Sequence, residues 1–343
     1  MAEAPELLVT VPSWVGDCVM AMPALRRAID GGRWSKVGVL ARPWVAPLYR
    51  LVPGVEVVVI DDAKGRHRGL KGRLTLANEL RTQGWNTALL LRGAIDAAFV
   101  VWWARIPHRV GHGGEGRGVL LTRSLPLTRK QWWRGHRANH YLDLLPLLEI
   151  ARPPLEPDGR PTPVRWQPDA ALTQAAADLL GPATGRRVGF APGAQFGAAK
   201  KWGAARYRAV AEALLAQGIE VHLFGSRDDQ AECAAVAQGL TGVRDWSGKT
   251  DLATAIALIG AMEGFVANDS GLMHVAAAWG MPVVAIFGST RPDSTSPLGR
   301  AEILMHPVAC APCLQRECRV PGQPCMAAVD PDEVLAALMR ALG

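Results

Sequence analysis

Short apolar runs alternate with amphipathic stretches along this chain, and the alternation occurs twice. Leu7-Leu8-Val9-Thr10-Val11 is apolar and ends at Pro12, the pattern of a buried parallel strand. Ser13-Trp14-Val15-Gly16 reads as a turn, and from Asp17 the apolar positions Val19, Met22, Leu25 and Ile29 recur at helical spacing. Further strands are predicted at 37–41, 55–60 and 88–91, with helices at 70–83 and 94–104 between them. Residues 151–168 then carry six prolines, a stiff linker near the midpoint. Beyond it strands are predicted at 188–191, 220–224, 265–267 and 283–287, with helices at 204–217, 228–239, 271–279 and 332–342. Such alternation specifies doubly wound parallel sheets, so the expected fold class is α/β with two Rossmann-like domains. Their expected limits are 1–160 and 161–343, facing each other across a cleft, with the last helix free to pack back on the first domain.

The 343 residues agree with two domains at roughly 150 residues each. Hydrophobic residues make up 49% and charged residues 20%, which excludes a disordered chain. The net charge of +7 favours acidic partners, with basic clusters at 64–73 and 129–137. No arginine-rich tail, zinc finger or helix-turn-helix pattern accompanies it, so nucleic acid is not an expected partner. No run approaches the roughly 20 apolar residues of a spanning helix. The N-terminus lacks a basic leader segment, so a cytoplasmic protein with reduced thiols is expected. Cys18 and Cys233 fall on predicted helices as small core residues. Cys310, Cys313, Cys318 and Cys325 cluster as C-x2-C-x4-C-x6-C. The first pair has zinc-knuckle spacing, but the second half fits no standard zinc site, and a loop of reduced thiols is the preferred reading.

Chemistry is expected at the carboxyl ends of the strands. In the second half, Asn268-Asp269-Ser270-Gly271-Leu272-Met273-His274 is strand, turn and helix start, where free N–H groups and the helix dipole favour a phosphate. The alternative is an ordinary cap by Asp269 or Ser270, with His274 in the core. Pro192-Gly193-Ala194-Gln195-Phe196-Gly197 leads into Lys200 and Lys201, either of which can reach a diphosphate. Gly225 and Ser226 offer small groups where a nucleoside could rest. No G-x-G-x-x-G motif follows the first strand of either half, and no G-x-x-x-x-G-K-[ST] motif is present, which disfavours dinucleotide and P-loop enzymes. No D-x-D pair is expected to hold a metal against a diphosphate. In the first half, Asp17 behind Gly16 can take a proton from an acceptor hydroxyl, or can simply cap its helix.

Three segments together resemble glycosyltransferase family 9: Pro12-Ser13-Trp14-Val15-Gly16-Asp17, residues 192–202, and residues 268–278. The similarity runs over nearly the whole chain, including the cysteine-bearing tail. It implies a GT-B fold and inverting, metal-free transfer from ADP-heptose, with no cofactor. The implied acceptor is the first heptose of the lipopolysaccharide inner core, carried on Kdo and lipid A. The resemblance assigns the base to Asp17 and the phosphate contact to Lys200, with Lys201 the neighbouring alternative. The donor motif falls on Asp269, Ser270, Gly271, Leu272 and His274, with Gly193 in the facing loop. The nucleoside region falls on Gly225 and Ser226, and more loosely on Ser247, Gly248, Lys249 and Thr250. Acceptor contacts fall on Ser13, Trp14 and Gly16. Relatives often carry a Pro-Asn-Ser loop after the fourth strand. Here the place reads Leu91-Arg92-Gly93-Ala94, with Arg92 either meeting an acceptor anion or lying at the surface. The basic clusters and Trp132-Trp133 would suit peripheral contact with the inner membrane, or form a solvated loop with a partly buried aromatic pair. Two other readings stand beside this one: a family 9 enzyme with another acceptor, such as a different core heptose or a protein hydroxyl, and a non-catalytic nucleotide-binding protein, which the presence of Asp17 disfavours.

Overall fold

The computed structural model describes residues 4–31, 34–167 and 170–343. The first three residues and Pro168 of the proline-rich run lie outside them. Contacts divide the chain into a unit of residues 1–167 and a unit of residues 168–343. The proline-rich run folds on itself through a bridge between Leu155 and Pro161 and packs on the first unit through a 2.8 Å bond from Asn139 Nδ2 to Gly159 O.

The first unit holds the parallel strands β1 (Glu6–Thr10), β2 (Lys36–Ala41), β3 (Val57–Ile60), β4 (Thr87–Leu90), β5 (His108–His112) and β6 (Arg123–Leu125), in the order β3-β2-β1-β4-β5-β6. The second holds β7 (Arg187–Ala191), β8 (Glu220–Leu223), β9 (Val243–Asp245), β10 (Gly264–Asn268), β11 (Val283–Ile286) and β12 (Ala301–Leu304), in the order β12-β11-β10-β7-β8-β9. Both orders are the same Rossmann topology, reversing direction between β1 and β4 and between β7 and β10. The central strands are apolar throughout because both faces are covered: Leu7, Leu8, Val9, Val188, Phe190, Phe265 and Val266 have no exposed surface.

Four strands were not anticipated: β5, β6, β9 and β12. β6, β9 and β12 are short and lie at or beside sheet edges, where polar residues such as Arg123, Arg244 and Glu302 are tolerated. β5 reads His-Arg-Val-Gly-His, so its apolar signal is one residue long although Val110 is buried. The closing helix, Pro331–Leu342, packs on β10, β11 and the helix Ala204–Leu215 of its own unit. Its apolar residues Val334, Ala337 and Leu338 belong to that unit's core. The apolar face of this helix is thus covered within its own unit.

Candidate functional site

In the first unit the helix following β1 runs from Val15 to Asp30, with Trp14 at the N-cap position. Asp17 is thus inside the first turn rather than the cap, where the helix dipole favours its charge. Its Oδ1 accepts a 3.0 Å bond from Arg137 Nη1, and both side chains are mostly buried. The Arg137 guanidinium stands 5.3 Å from the Trp132 ring and 4.7 Å from the Trp133 ring. The tryptophan pair is therefore half-buried and holds the partner of Asp17, a role that its sequence pattern did not reveal. Ser13 offers its carbonyl to Trp44 Nε1 at 2.7 Å, Gly16 lies within the helix, and Trp14 is exposed. Arg92 is not a surface cation: it is buried, and its Nη2 donates to Asp61 Oδ2 at 2.9 Å. Arg73, from the basic cluster at 64–73, is buried on the same carboxylate at 2.6 Å.

In the second unit Asn268 closes β10 and Ser270 stands at the N-cap of the helix Gly271–Trp279. Neither expected cap forms. Ser270 makes no side-chain cap bond, and its hydroxyl is buried without a partner. Asp269 instead binds Lys200: Nζ donates to Oδ2 at 2.6 Å and to the Asp269 carbonyl at 3.3 Å. Thr290 Oγ1 donates to the same Oδ2 at 2.7 Å. Lys200 also lies 4.9 Å from the Phe196 ring. Lys201 points elsewhere, to Glu232 Oε2 at 3.2 Å, which separates the two lysines that spacing alone could not. Leu272 is half-buried, and His274 is buried in the helix.

Three residues that sequence reasoning did not assign organise this region. Asn268, fully buried, donates from Nδ2 to Pro192 O at 2.6 Å and to Gly193 O at 3.3 Å. Its Oδ1 accepts from Trp202 N and from Tyr207 Oη, each at 3.2 Å. One side chain thus ties the end of β10 to both ends of the lysine loop. Thr290 is the second, on Asp269. The third is Asp229: its carboxylate accepts from Ser226 N at 2.8 Å and Ser226 Oγ at 2.7 Å. A Cβ on Gly193 would stand 2.1 Å from Asp229 Oδ1, and one on Gly225 would stand 2.7 Å from Asp229 Cβ. Gly193 and Gly225 therefore make room for Asp229. Ser226 is likewise engaged, since its Oγ also accepts from Gln195 Nε2 at 2.6 Å.

Lys249 and Thr250 open on a depression of about 600 Å³ also lined by Trp246, Asp251 and Thr254. Gly225 lies beneath them, where its carbonyl accepts from Gly248 N at 3.0 Å. The four residues expected around a nucleoside thus split into a supporting pair and a lining pair. Trp246 is held by a 3.0 Å bond from Nε1 to His222 Nδ1, and the two rings lie nearly coplanar, with an interplanar angle of 6°.

The cysteine tail supports the lysine loop. Ala199 N donates to Arg316 O at 2.9 Å, Gln323 Nε2 to Ala198 O at 3.1 Å, and Leu314 N to Ser289 O at 2.7 Å. Cys325 is buried in the core, Cys310, Cys313 and Cys318 are half-buried, and all four are free thiols. Among the described residues no group of three or more His, Cys, Asp or Glu is arranged to hold a metal ion.

Two Rossmann-like units in one chain, each with polar groups at its strand ends, place this protein among the GT-B glycosyltransferases. The profile of glycosyltransferase family 9 (heptosyltransferase) matches residues 73–323. The chain is 32% identical over 312 residues to lipooligosaccharide heptosyltransferase 2 of Haemophilus ducreyi, covering 88% of each chain. The chain belongs to glycosyltransferase family 9. Among solved structures it is similar to E. coli ADP-heptose LPS heptosyltransferase II, with a TM-score of 0.81, 29% identity and 98% of each chain covered. The E. coli heptosyltransferase WaaC, solved with ADP, shares the fold with a TM-score of 0.73 at 18% identity, covering 98% of this chain and 100% of that one.

Proposed function

We propose that the chain transfers L-glycero-D-manno-heptose from ADP-heptose to the first heptose of the lipopolysaccharide inner core, as a heptosyltransferase II. The observation that carries this reading is Lys200 on Asp269, at the N-terminus of the helix Gly271–Trp279. A cation, free backbone N–H groups and a helix dipole at one strand end form a receptor for a departing diphosphate without recourse to a metal.

In this reading the acceptor hydroxyl attacks the anomeric carbon of the donor and gives its proton to the Asp17 carboxylate. The bond from that carbon to the diphosphate oxygen breaks with inversion. The charge that develops on ADP is met by Lys200, by the helix N-terminus and by the Ser270 hydroxyl, which has no partner within the protein. Lys249, Thr250 and Trp246 line the depression assigned to the nucleoside. Asn268, Thr290 and Asp229 hold these parts in register.

The acceptor is an anionic glycolipid, so the reading includes peripheral contact with the cytoplasmic face of the inner membrane. Lys64, Arg66, Arg68 and Lys71 are exposed around the exposed Leu70 and would supply the basic surface. No helix among the described residues is long and apolar enough to cross a membrane.

The test is incubation with ADP-heptose and core acceptors of defined length, followed by mass spectrometry. One heptose should be added to the acceptor that already bears one heptose. Addition to an acceptor ending in Kdo, or to none of the series, would sink the assignment.

A further inference from the structure

The first unit carries a cluster of charge that the transfer step does not use. Asp61 directly follows β3 and has no exposed surface. Its Oδ1 takes Arg42 Nη1 at 3.0 Å and Arg73 Nη2 at 2.6 Å, and its Oδ2 takes Arg92 Nη2 at 2.9 Å. Asp96 is the second carboxylate, 3.2 Å from Arg42, 3.5 Å from Arg73 and 3.7 Å from Arg92. Three guanidinium groups against two carboxylates leave one positive charge in excess.

The three arginines are not equivalent. Arg73 is committed to the fold, since its Nε and Nη2 also donate to His67 O at 2.9 and 2.7 Å. Arg92 is only 6% exposed, yet its Nε and Nη1 are buried with no hydrogen-bond partner. Beside it, Thr10 Oγ1 at the end of β1 is also buried and without a partner, while the Thr10 carbonyl takes Arg92 N at 3.0 Å. Charged N–H groups buried without a partner are costly, so these donors are open to an acceptor that the chain does not supply. β1 and β4 are the neighbours at which the strand order reverses, the position where α/β sheets receive ligands. Asp96 has 36% of its side chain exposed, against none for Asp61. It also makes the longer contacts, so it is the carboxylate that an incoming anion would displace.

We infer that the Arg42–Arg92 pair is an oxyanion subsite, in which a phosphate monoester or sugar carboxylate of the acceptor displaces Asp96 while Asp61 anchors the arginines. Arginine suits this task because its planar fork matches such oxyanions with two parallel bonds. The identification of the anion as part of the acceptor rests on the function proposed above; the anion site itself does not.

Two measurements test the inference separately. The first is thermal melting of the full chain with inorganic phosphate, in saturating ADP so that the donor phosphate site is filled. Asp96→Asn should increase the phosphate-induced shift over that of the wild type, and Arg92→Lys should abolish it. Equal shifts in all three proteins overturn the anion site. The second is the acceptor KM, with native and dephosphorylated acceptors. Arg92→Lys should raise the acceptor KM about tenfold, the scale of one lost charged hydrogen bond, and leave the donor KM unchanged. If dephosphorylation raises the wild-type KM and leaves that of Arg92→Lys unaltered, the anion is the phosphate. If dephosphorylation changes neither, the anion is the carboxylate. An acceptor KM for Arg92→Lys within twofold of the wild type removes the acceptor from this site. A wild type that transfers heptose to no acceptor contradicts the proposed function and leaves the phosphate result to stand by itself.

Discussion

Lys200 Nζ stands 2.6 Å from Asp269 Oδ2, so the lysine loop is fixed by the residue immediately before the Ser270 N-cap of the helix Gly271–Trp279. Asp269 orients this cation through its carbonyl and one carboxylate oxygen, the latter shared with Thr290, and leaves the helix N-terminus open.

Lys200 and Lys201 should therefore differ sharply. Lys200→Ala is expected to lower kcat/KM about 100-fold, the scale for losing one preorganised contact to developing charge. Lys201→Ala removes only a contact to Glu232 and should stay within a fewfold of the wild type. Steady-state kinetics with ADP-heptose decides this, and equal effects would contradict the assignment.

Asn268 is the brace between β10 and the lysine loop. Asn268→Ala leaves buried donors and acceptors unpaired and should cost about 2–3 kcal/mol of stability. Urea unfolding reads this directly. A variant as stable as the wild type would mean that the four contacts of Asn268 do not hold the loop.

The sequence foretold some of this architecture and not the rest, for physical reasons. β1 and β7 were legible because strands covered on both faces must be continuously apolar. β9 was not, because a three-residue edge strand such as Val243-Arg244-Asp245 need bury little. The string from Asn268 to Gly271 announced a turn and a helix start. It could not announce that Asp269 would forgo capping for Lys200, because that choice depends on a loop 69 residues away. The glycine at 193 gave no sign that it clears space for Asp229, because Asp229 lies 36 residues further along the chain. The tail of cysteines gave no sign that its backbone would hold Ala199 and Ser289.

The second unit should weaken in mild acid. Burial pushes His222 down to about 4 from its ordinary 6.5, against the pull of Glu220 at 3.5 Å. The fold favours the neutral ring, so stability is full above pH ~6.5 and is lost as the unfolded chain takes up a proton between about 6.5 and 4. The loss amounts to about 3 kcal/mol at most. Urea midpoints of the wild type should fall across this window, and those of His222→Asn should fall less. Parallel pH profiles would exclude His222 as the cause.

Arg137 should act through Asp17. Arg137→Ala is expected to reduce kcat about tenfold with the ADP-heptose KM unchanged, because the lost bond orients the carboxylate rather than the donor. Arg137→Lys keeps the charge but loses the planar stacking over Trp132 and Trp133, and should fall between. A rise in donor KM with normal kcat would place Arg137 on the donor instead.

The central claim is that Asp17 takes the acceptor proton while the second unit binds the donor on its own account. The most direct measurement pairs heptose transfer with ADP calorimetry on Asp17→Asn. Transfer should fall about 1000-fold, within the range for a lost general base, while ADP affinity stays within twofold of the wild type. Transfer at the wild-type rate by Asp17→Asn would contradict the account.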